Sequence, residues 1–203
     1  MNQDSIRRHL DELAQSDDDL ARGLARVGYP LPRIRPPGFE TLLSTIVSQQ
    51  ISTDAAAAIM RRVRALLPSM HAAEVLRLPP DALREAGLSL RKVEYVQGLA
   101  QAMIDGRFDP GRLGDMDDRE AIRSITALRG FGAWSAEIYL MFCLQRSDIF
   151  PAGDLALRVG LQKLKGIDSA LDEKQARALV EHWAPYRSAG SLFLWHYYRG
   201  APT

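Results

Sequence analysis

The chain has 203 residues, 46% apolar and 25% charged, with a formal net charge of +1. That is ordinary globular composition with enough chain for a buried core, and the near-neutral balance means a nucleic-acid partner must be met by a local basic patch. The single cysteine, Cys143, excludes a disulfide within the chain and any zinc or iron–sulfur site built from several cysteines, and it suits a reducing cytosol.

The N-terminal "MNQDSIRRHL" is polar from the start and lacks the apolar core of a signal peptide. No run approaches the roughly 18 apolar residues that span a bilayer, so no membrane partner is expected. "DDDLARGLARVG" opens with acids suited to a helix N-terminus and closes at Gly28. Residues 29–39 hold four prolines and read as a linker or crossing loop. "FETLLSTIVSQQIS" places Leu42, Leu43, Ile46 and Val47 on one face of a buried helix. "STDAAAAIMRRVRALLP" begins with Ser52, Thr53 and Asp54, all good caps, and runs to Pro68. A short helix is expected at 71–78 and another from Pro80 to Gly87, with proline in its first turn.

"SLRKVEYVQGLAQAMIDG" predicts a long amphipathic helix ending at Gly106, and "DDREAIRSITAL" another helix. "WSAEIYLMFCLQ" is strongly apolar, and a helix begins at Asp154 after "RSDIFPAG". Two more helices close the chain, at about 172–183 and 186–199. No segment alternates as a strand, so the pattern predicts an all-α fold of about ten short helices.

"LRGFG", Leu128 to Gly132, interrupts this pattern between two helices. Two helices joined by a tight glycine turn form a known supersecondary unit. Glycine accepts a positive φ without steric cost, and its bare backbone lets a phosphate approach. The amides here open the next helix, whose dipole favours an anion, and Arg129 adds charge beside them. Taken alone, the same residues could be a C-cap glycine and a connector.

The run from Leu128 to Ala136, "LRGFGAWSA", resembles the helix–hairpin–helix of the DNA glycosylase superfamily, whose pattern is L-P-G-[VIF]-G-x-[KW]-[TS]-A. That family places a catalytic aspartate after a Gly/Pro-rich loop, and Asp154 in "FPAGDLALRVG" stands 20 residues after Trp134. "IVSQQIS", Ile46 to Ser52, resembles the segment that enters the duplex. The resemblance runs from about residue 35 to 199 and implies double-stranded damaged DNA as partner.

The resemblance also narrows the chemistry. In branches that cut the backbone, a lysine at the position of Trp134 attacks the sugar. Tryptophan cannot, so a monofunctional glycosylase is implied, without lyase activity. The iron–sulfur branches need four cysteines, so no such cluster is expected and no cofactor is required. The chain is most similar in these features to the alkylation-repair branch, of the 3-methyladenine DNA glycosylase II type, which removes alkylated purines and leaves an abasic site. With its start this close to the helical core, the chain is not expected to carry the extra N-terminal β-rich domain of some relatives.

By resemblance, Asp154 is the catalytic residue, although an aspartate there also caps a helix N-terminus and could pair with Arg158. Trp134 and Trp195 match pocket tryptophans; Ile138 stands where a relative has a pocket tyrosine, with Tyr139 on another helix face. Trp183 reads as core. Gln49, Gln50 and Ile51 correspond to the wedge that fills the hole left by the flipped nucleotide, Gln50 at the intercalating position. Arg129, Gly130, Phe131 and Gly132 would hold the DNA backbone, with Lys163, Lys165, Arg33, Arg35 and Arg158 around the DNA face. Arg61, Arg62 and Arg64 read as a solvated helix face. The family's hairpin binds a sodium or potassium ion through main-chain carbonyls, by position those of Thr126, Leu128 and Gly130. The four histidines, at 9, 71, 182 and 196, lack metal spacing with acids and read as structural.

The implied architecture is two helical lobes with the active-site cleft between them: residues 1–38 with 148–203, and residues 39–147 carrying the hairpin at about 117–145. A monomer is expected. Two other readings share the motifs: a glycosylase for uracil, hypoxanthine or oxidised bases, and a non-catalytic DNA-binding module.

Overall fold

The computed structural model describes residues 1–79 and 81–200. It is all-helical, with no strand among the described residues. Contacts divide it into two compact units, residues 1–34 with 137–203, and residues 35–136. The first division falls inside the proline-rich segment and the second inside a helix, eleven residues before the boundary expected at 147/148. The reason is packing. Glu137 pairs with Arg177, and the Phe142 ring lies 5.8 Å from that of Trp195, so the apolar helix after the hairpin belongs with the C-terminal helices.

In the 35–136 unit, α3 (Phe39–Ser48), α4 (Thr53–Leu66) and α7 (Leu90–Ile104) pack together. Leu42, Leu43, Ile46 and Val47 are buried as their spacing predicts, against Met60, Val63, Val96 and Leu99. Ser52 caps α4 through its side chain, as Ser89 caps α7. The short α5 (Ala72–Val75) and α6 (Ala82–Glu85) lean on α7. The helix expected to open at Pro80 begins at Ala82; Pro80 itself lies outside the described residues. A 3-10 turn at Pro110–Asp115 precedes α8 (Asp118–Thr126), which is closed at its start by a capping box between Asp117 and Glu120. The hairpin and the first turn of α9 (Ala133–Phe142) complete this unit.

The other unit contains α1 (Gln3–Ser16), α2 (Asp18–Val27), α10 (Leu155–Lys165), α11 (Glu173–Leu179), a 3-10 turn at Glu181–Trp183 and α12 (Arg187–Gly200). The helix expected across 172–183 is thus two pieces. Its second piece drives Trp183 fully into the core, where the indole N–H donates 2.7 Å to Asp17. α10 packs against α12. They cross closely because position 160 is glycine: a Cβ there would lie 2.9 Å from the Leu194 carbonyl oxygen.

Asp17 caps α2 and anchors this unit. Its buried carboxylate accepts hydrogen bonds from the Lys165 ammonium at 2.7 Å, the Trp183 indole at 2.7 Å, the Leu20 amide at 3.1 Å and the His182 ring at 3.0 Å. Burial alone would raise its pKa. The donors, Lys165 and Trp183 foremost, outweigh that and hold it down at about 2.

Candidate active site and DNA-contact elements

Asp154 is the N-cap of α10. Its Oδ1 accepts 3.0 Å from the Leu157 amide and 3.1 Å from the Trp195 indole on α12. The capping role and the link to Trp195 therefore coincide on one half-buried carboxylate. The turn that carries it is tied down from two helices. Arg158 donates 2.6 Å to the Ala152 carbonyl, so the partner seen for this guanidinium is the turn's backbone. Arg177 on α11 donates 2.9 Å to the Phe150 carbonyl and 2.7 Å to Glu137. Glu137 is buried, which pushes its carboxyl up, and the Arg177 hydrogen bond offsets only part of that. A lone glutamate inside the apolar "AWSAEIYLMF" was a readable sign of such a partner. Sequence reasoning missed both Glu137 and Arg177.

Trp195 is 7% exposed, beside the buried Phe142, and the guanidinium of Arg33 lies over its ring at 5.6 Å from the centroid. Ile138 and Tyr139 are both buried on α9. Lys163 is exposed near the end of α10, its ammonium over the Tyr198 ring. Lys165, expected at the DNA face, is turned inward. Its side chain is 14% exposed and bridges Asp17 and Asp19, so its charge is committed to the fold.

The second set of residues belongs to the 35–136 unit. Gly130 has φ +97°, a conformation that side chains rarely adopt, and a Cβ there would meet the Tyr95 ring at 2.4 Å. Gly132 is different. Positive φ is not its requirement, and nothing lies within 4 Å of where its Cβ would be, so its backbone is bare at the start of α9. The Phe131 side chain is buried and its amide donates 3.1 Å to Leu128, so it anchors the turn instead of facing outward. Arg129 is exposed beside Glu94, over the Tyr95 ring. Trp134, in the first turn of α9, is 41% exposed.

The residues expected to form a wedge, Gln49, Gln50 and Ile51, make the turn after α3. Gln50 is exposed with φ +57°, and Ile51 is 37% exposed. Gln49 points inward, its side-chain amide donating 2.8 Å to the Gly130 carbonyl, so it couples the wedge turn to the hairpin. Lys92 was not singled out from the sequence. Its ammonium donates 2.7 Å to the Val47 carbonyl and 2.8 Å to that of Gln49, satisfying the end of α3 and fixing the turn. Burial lowers its pKa.

The two glycines make different predictions. Gly130→Ala should destabilise the protein by about 2–4 kcal/mol, through backbone strain and the Tyr95 clash. Gly132→Ala should leave thermal melting within about 1 °C and weaken duplex binding, the effect expected where the resemblance places a phosphate. Melting curves and fluorescence-anisotropy titrations of the two variants check both statements.

With a glycine hairpin opening α9 and an indole-bound aspartate capping α10, the chain is a helix–hairpin–helix protein. The chain belongs to the HhH-GPD superfamily of base excision DNA repair proteins, whose sequence model matches residues 43–185. It is 29% identical over 163 residues to the DNA-3-methyladenine glycosylase 1 of Schizosaccharomyces pombe, covering 77% of this chain and 71% of that protein. Its fold is similar to the crystal structure of a DNA-3-methyladenine glycosidase from Bacillus halodurans, with TM-score 0.86, 32% identity and 95% and 89% of the two chains covered. It is also similar to the S. pombe 3-methyladenine DNA glycosylase in complex with abasic DNA, with TM-score 0.83, 27% identity and 93% and 95% coverage.

Proposed function

We propose that this chain is a monofunctional DNA glycosylase that removes alkylated purines, of the 3-methyladenine and 7-methylguanine type, from duplex DNA. The observation that carries the reading is the Asp154 carboxylate, held at the start of α10 by the Leu157 amide and the Trp195 indole, in a chain with Trp134 where a lyase would need lysine. The relatives' names support the substrate class.

The chemistry follows from the substrate. These purines carry positive charge and leave without prior protonation. The protein needs the base out of the stack, aromatic surface against it and an anion near the sugar. As the C1′–N bond breaks, its electron pair leaves with the base, which becomes neutral, and positive charge develops on the sugar. Asp154 stabilises that charge and orients the water that attacks C1′, accepting its proton. Trp195 and Trp134 supply stacking surface, Ile138 an apolar wall. The Gly132 backbone and Arg129 hold a phosphate, Gln50 and Ile51 fill the vacated stack, and Lys163 adds charge. Gln49 acts by fixing the wedge turn.

A sodium or potassium ion would suit the hairpin. The Leu128 and Gly130 oxygens each already accept one hydrogen bond, and a carbonyl oxygen retains a second lone pair, so with Thr126 they form a compatible set. Such an ion supplies positive charge for a DNA phosphate.

No helix among the described residues is long and apolar enough to cross a membrane. We take the protein to act as a monomer in the compartment of the chromosome. Incubation with methylated DNA and with oligonucleotides carrying uracil, 8-oxoguanine or hypoxanthine tests the reading. Release of 3-methyladenine and 7-methylguanine above the other bases is expected. A preference for uracil or 8-oxoguanine would overturn the substrate class, and release of no base would leave only a DNA-binding module.

A further inference from the structure

Three parts of the 35–136 unit meet at the start of α7: the turn after α3, the hairpin and α7 itself. The half-buried Lys92, in the first turn of α7, donates 2.7 Å to the Val47 carbonyl and 2.8 Å to that of Gln49. A cation suits these orphan carbonyls at the C-terminus of α3. One turn further along α7, the Tyr95 ring packs so closely against the Gly130 backbone that a Cβ there would lie 2.4 Å away. Gln49 closes the triangle, its side-chain amide donating 2.8 Å to the Gly130 carbonyl. Gln50 follows, exposed, with φ +57° although it is not glycine. Such a conformation costs energy and persists where neighbours fix it. The angle is the rotation about the Gln50 N–Cα bond, and the peptide plane before that bond carries the Gln49 carbonyl. By holding that oxygen, Lys92 holds the plane from which the Gln50 side chain is set.

We propose that Lys92 is a positioning residue for nucleotide flipping, presetting Gln50 against the hairpin before DNA arrives. The proposal rests on the reading of Gln50 as the residue that fills the vacated stack. A wedge already in place adds no ordering cost to the step that opens the base pair. Without the ammonium, water takes over the two carbonyls, the Gln49–Gln50 peptide turns freely and Gln50 relaxes to a negative φ. The wedge must then be ordered while the pair opens. The loss therefore falls on flipping and spares bond cleavage, so it scales with how firmly the partner base holds the lesion.

Single-turnover excision of 7-methylguanine tests this in two duplexes, one with cytosine opposite the lesion and one with an abasic site there. The second has no base pair to open. Lys92→Met should slow excision from the first by about five- to thirty-fold and from the second by less than about three-fold. Lys92→Arg, which keeps a cation with several donors, should recover most of the loss, and Lys92→Gln less. Gln50→Ala should show the same selectivity, and adding Lys92→Met to it should change little, because both act through one side chain. A structural role alone would lower the active fraction and slow both duplexes alike, since the ratio within one variant is independent of how much protein is folded. An unmoved ratio in Lys92→Met and Lys92→Gln, or full additivity with Gln50→Ala, overturns the proposal. If Gln50→Ala moves the ratio and the lysine variants do not, only this role of Lys92 is lost. An unmoved ratio in Gln50→Ala overturns the wedge reading and this proposal with it. Failure of the wild type to release 7-methylguanine from either duplex would overturn the proposed function itself.

Discussion

Asp154→Asn should lower single-turnover excision of 7-methylguanine at least about a hundred-fold while leaving the melting temperature near that of the wild type. The two effects separate because the residue caps α10 and, in the proposed reaction, also carries the charge that stabilises the sugar. Asparagine caps a helix about as well as aspartate, and its side-chain oxygen can still accept from the Leu157 amide and the Trp195 indole. What is lost is the negative charge. In a water-poor pocket, that charge is worth most in the transition state, when the sugar becomes cationic. Duplex binding should change little, since the hairpin and wedge are intact. Excision near the wild-type rate by this variant would remove Asp154 from the reaction and leave it a helix cap.

The second large effect concerns stability. Asp17→Ala should cost about 3–5 kcal/mol, measured by urea titration, because it removes the buried one of the two carboxylates that hold the nearly buried Lys165 ammonium and leaves the Trp183 indole without its acceptor. A chain of this size holds only about 5–15 kcal/mol in total, so the variant should be partly unfolded at moderate temperature. Lys165→Met in the same chain should recover part of the loss, since the nearly buried ammonium that has lost its closer carboxylate is then gone.

The same carboxylate sets an acid limit. Its pKa is lowered from 3.8 to about 2, so its contribution is fully present above pH 4 and disappears as the pH falls through about 2. The shift corresponds to about 2 kcal/mol. In Asp17→Ala this portion of the acid dependence should vanish. Urea midpoints followed from pH 5 to pH 2 would show it, and an unchanged slope in the variant would contradict the assignment.

Much of the helical order was legible from apolar spacing and caps. Leu42, Leu43, Ile46 and Val47 announced α3, Ser52 and Ser89 marked two helix starts, and Gly28 marked a stop. α1 was not predicted: polar and charged residues surround Ile6, Leu10 and Leu13, whose helical spacing is sparse, yet all three are buried. The break between α11 and the turn at Glu181–Trp183 was also missed, since local propensity does not report that Trp183 must reach Asp17.

The site shows a similar split. The motif positions Asp154, Trp134, Gly130 and Gln50 can be read along the chain because they are local in sequence. Lys165 could not be assigned that way. Its partners Asp17 and Asp19 are almost 150 residues away, and only the folded chain shows that its charge is already used. Lys92 and Arg177 act across 43 and 27 residues, on the turn after α3 and on the turn before Asp154.

The central claim is base excision without strand cleavage. A duplex carrying a single 7-methylguanine, incubated with the protein and divided into halves with and without hot alkali, tests it most directly. An intact strand before alkali and a single break at the lesion after it are expected. A break already present without alkali would mean that a side chain attacks the sugar, contradicting the role given to Trp134. An intact strand in both halves would contradict excision altogether.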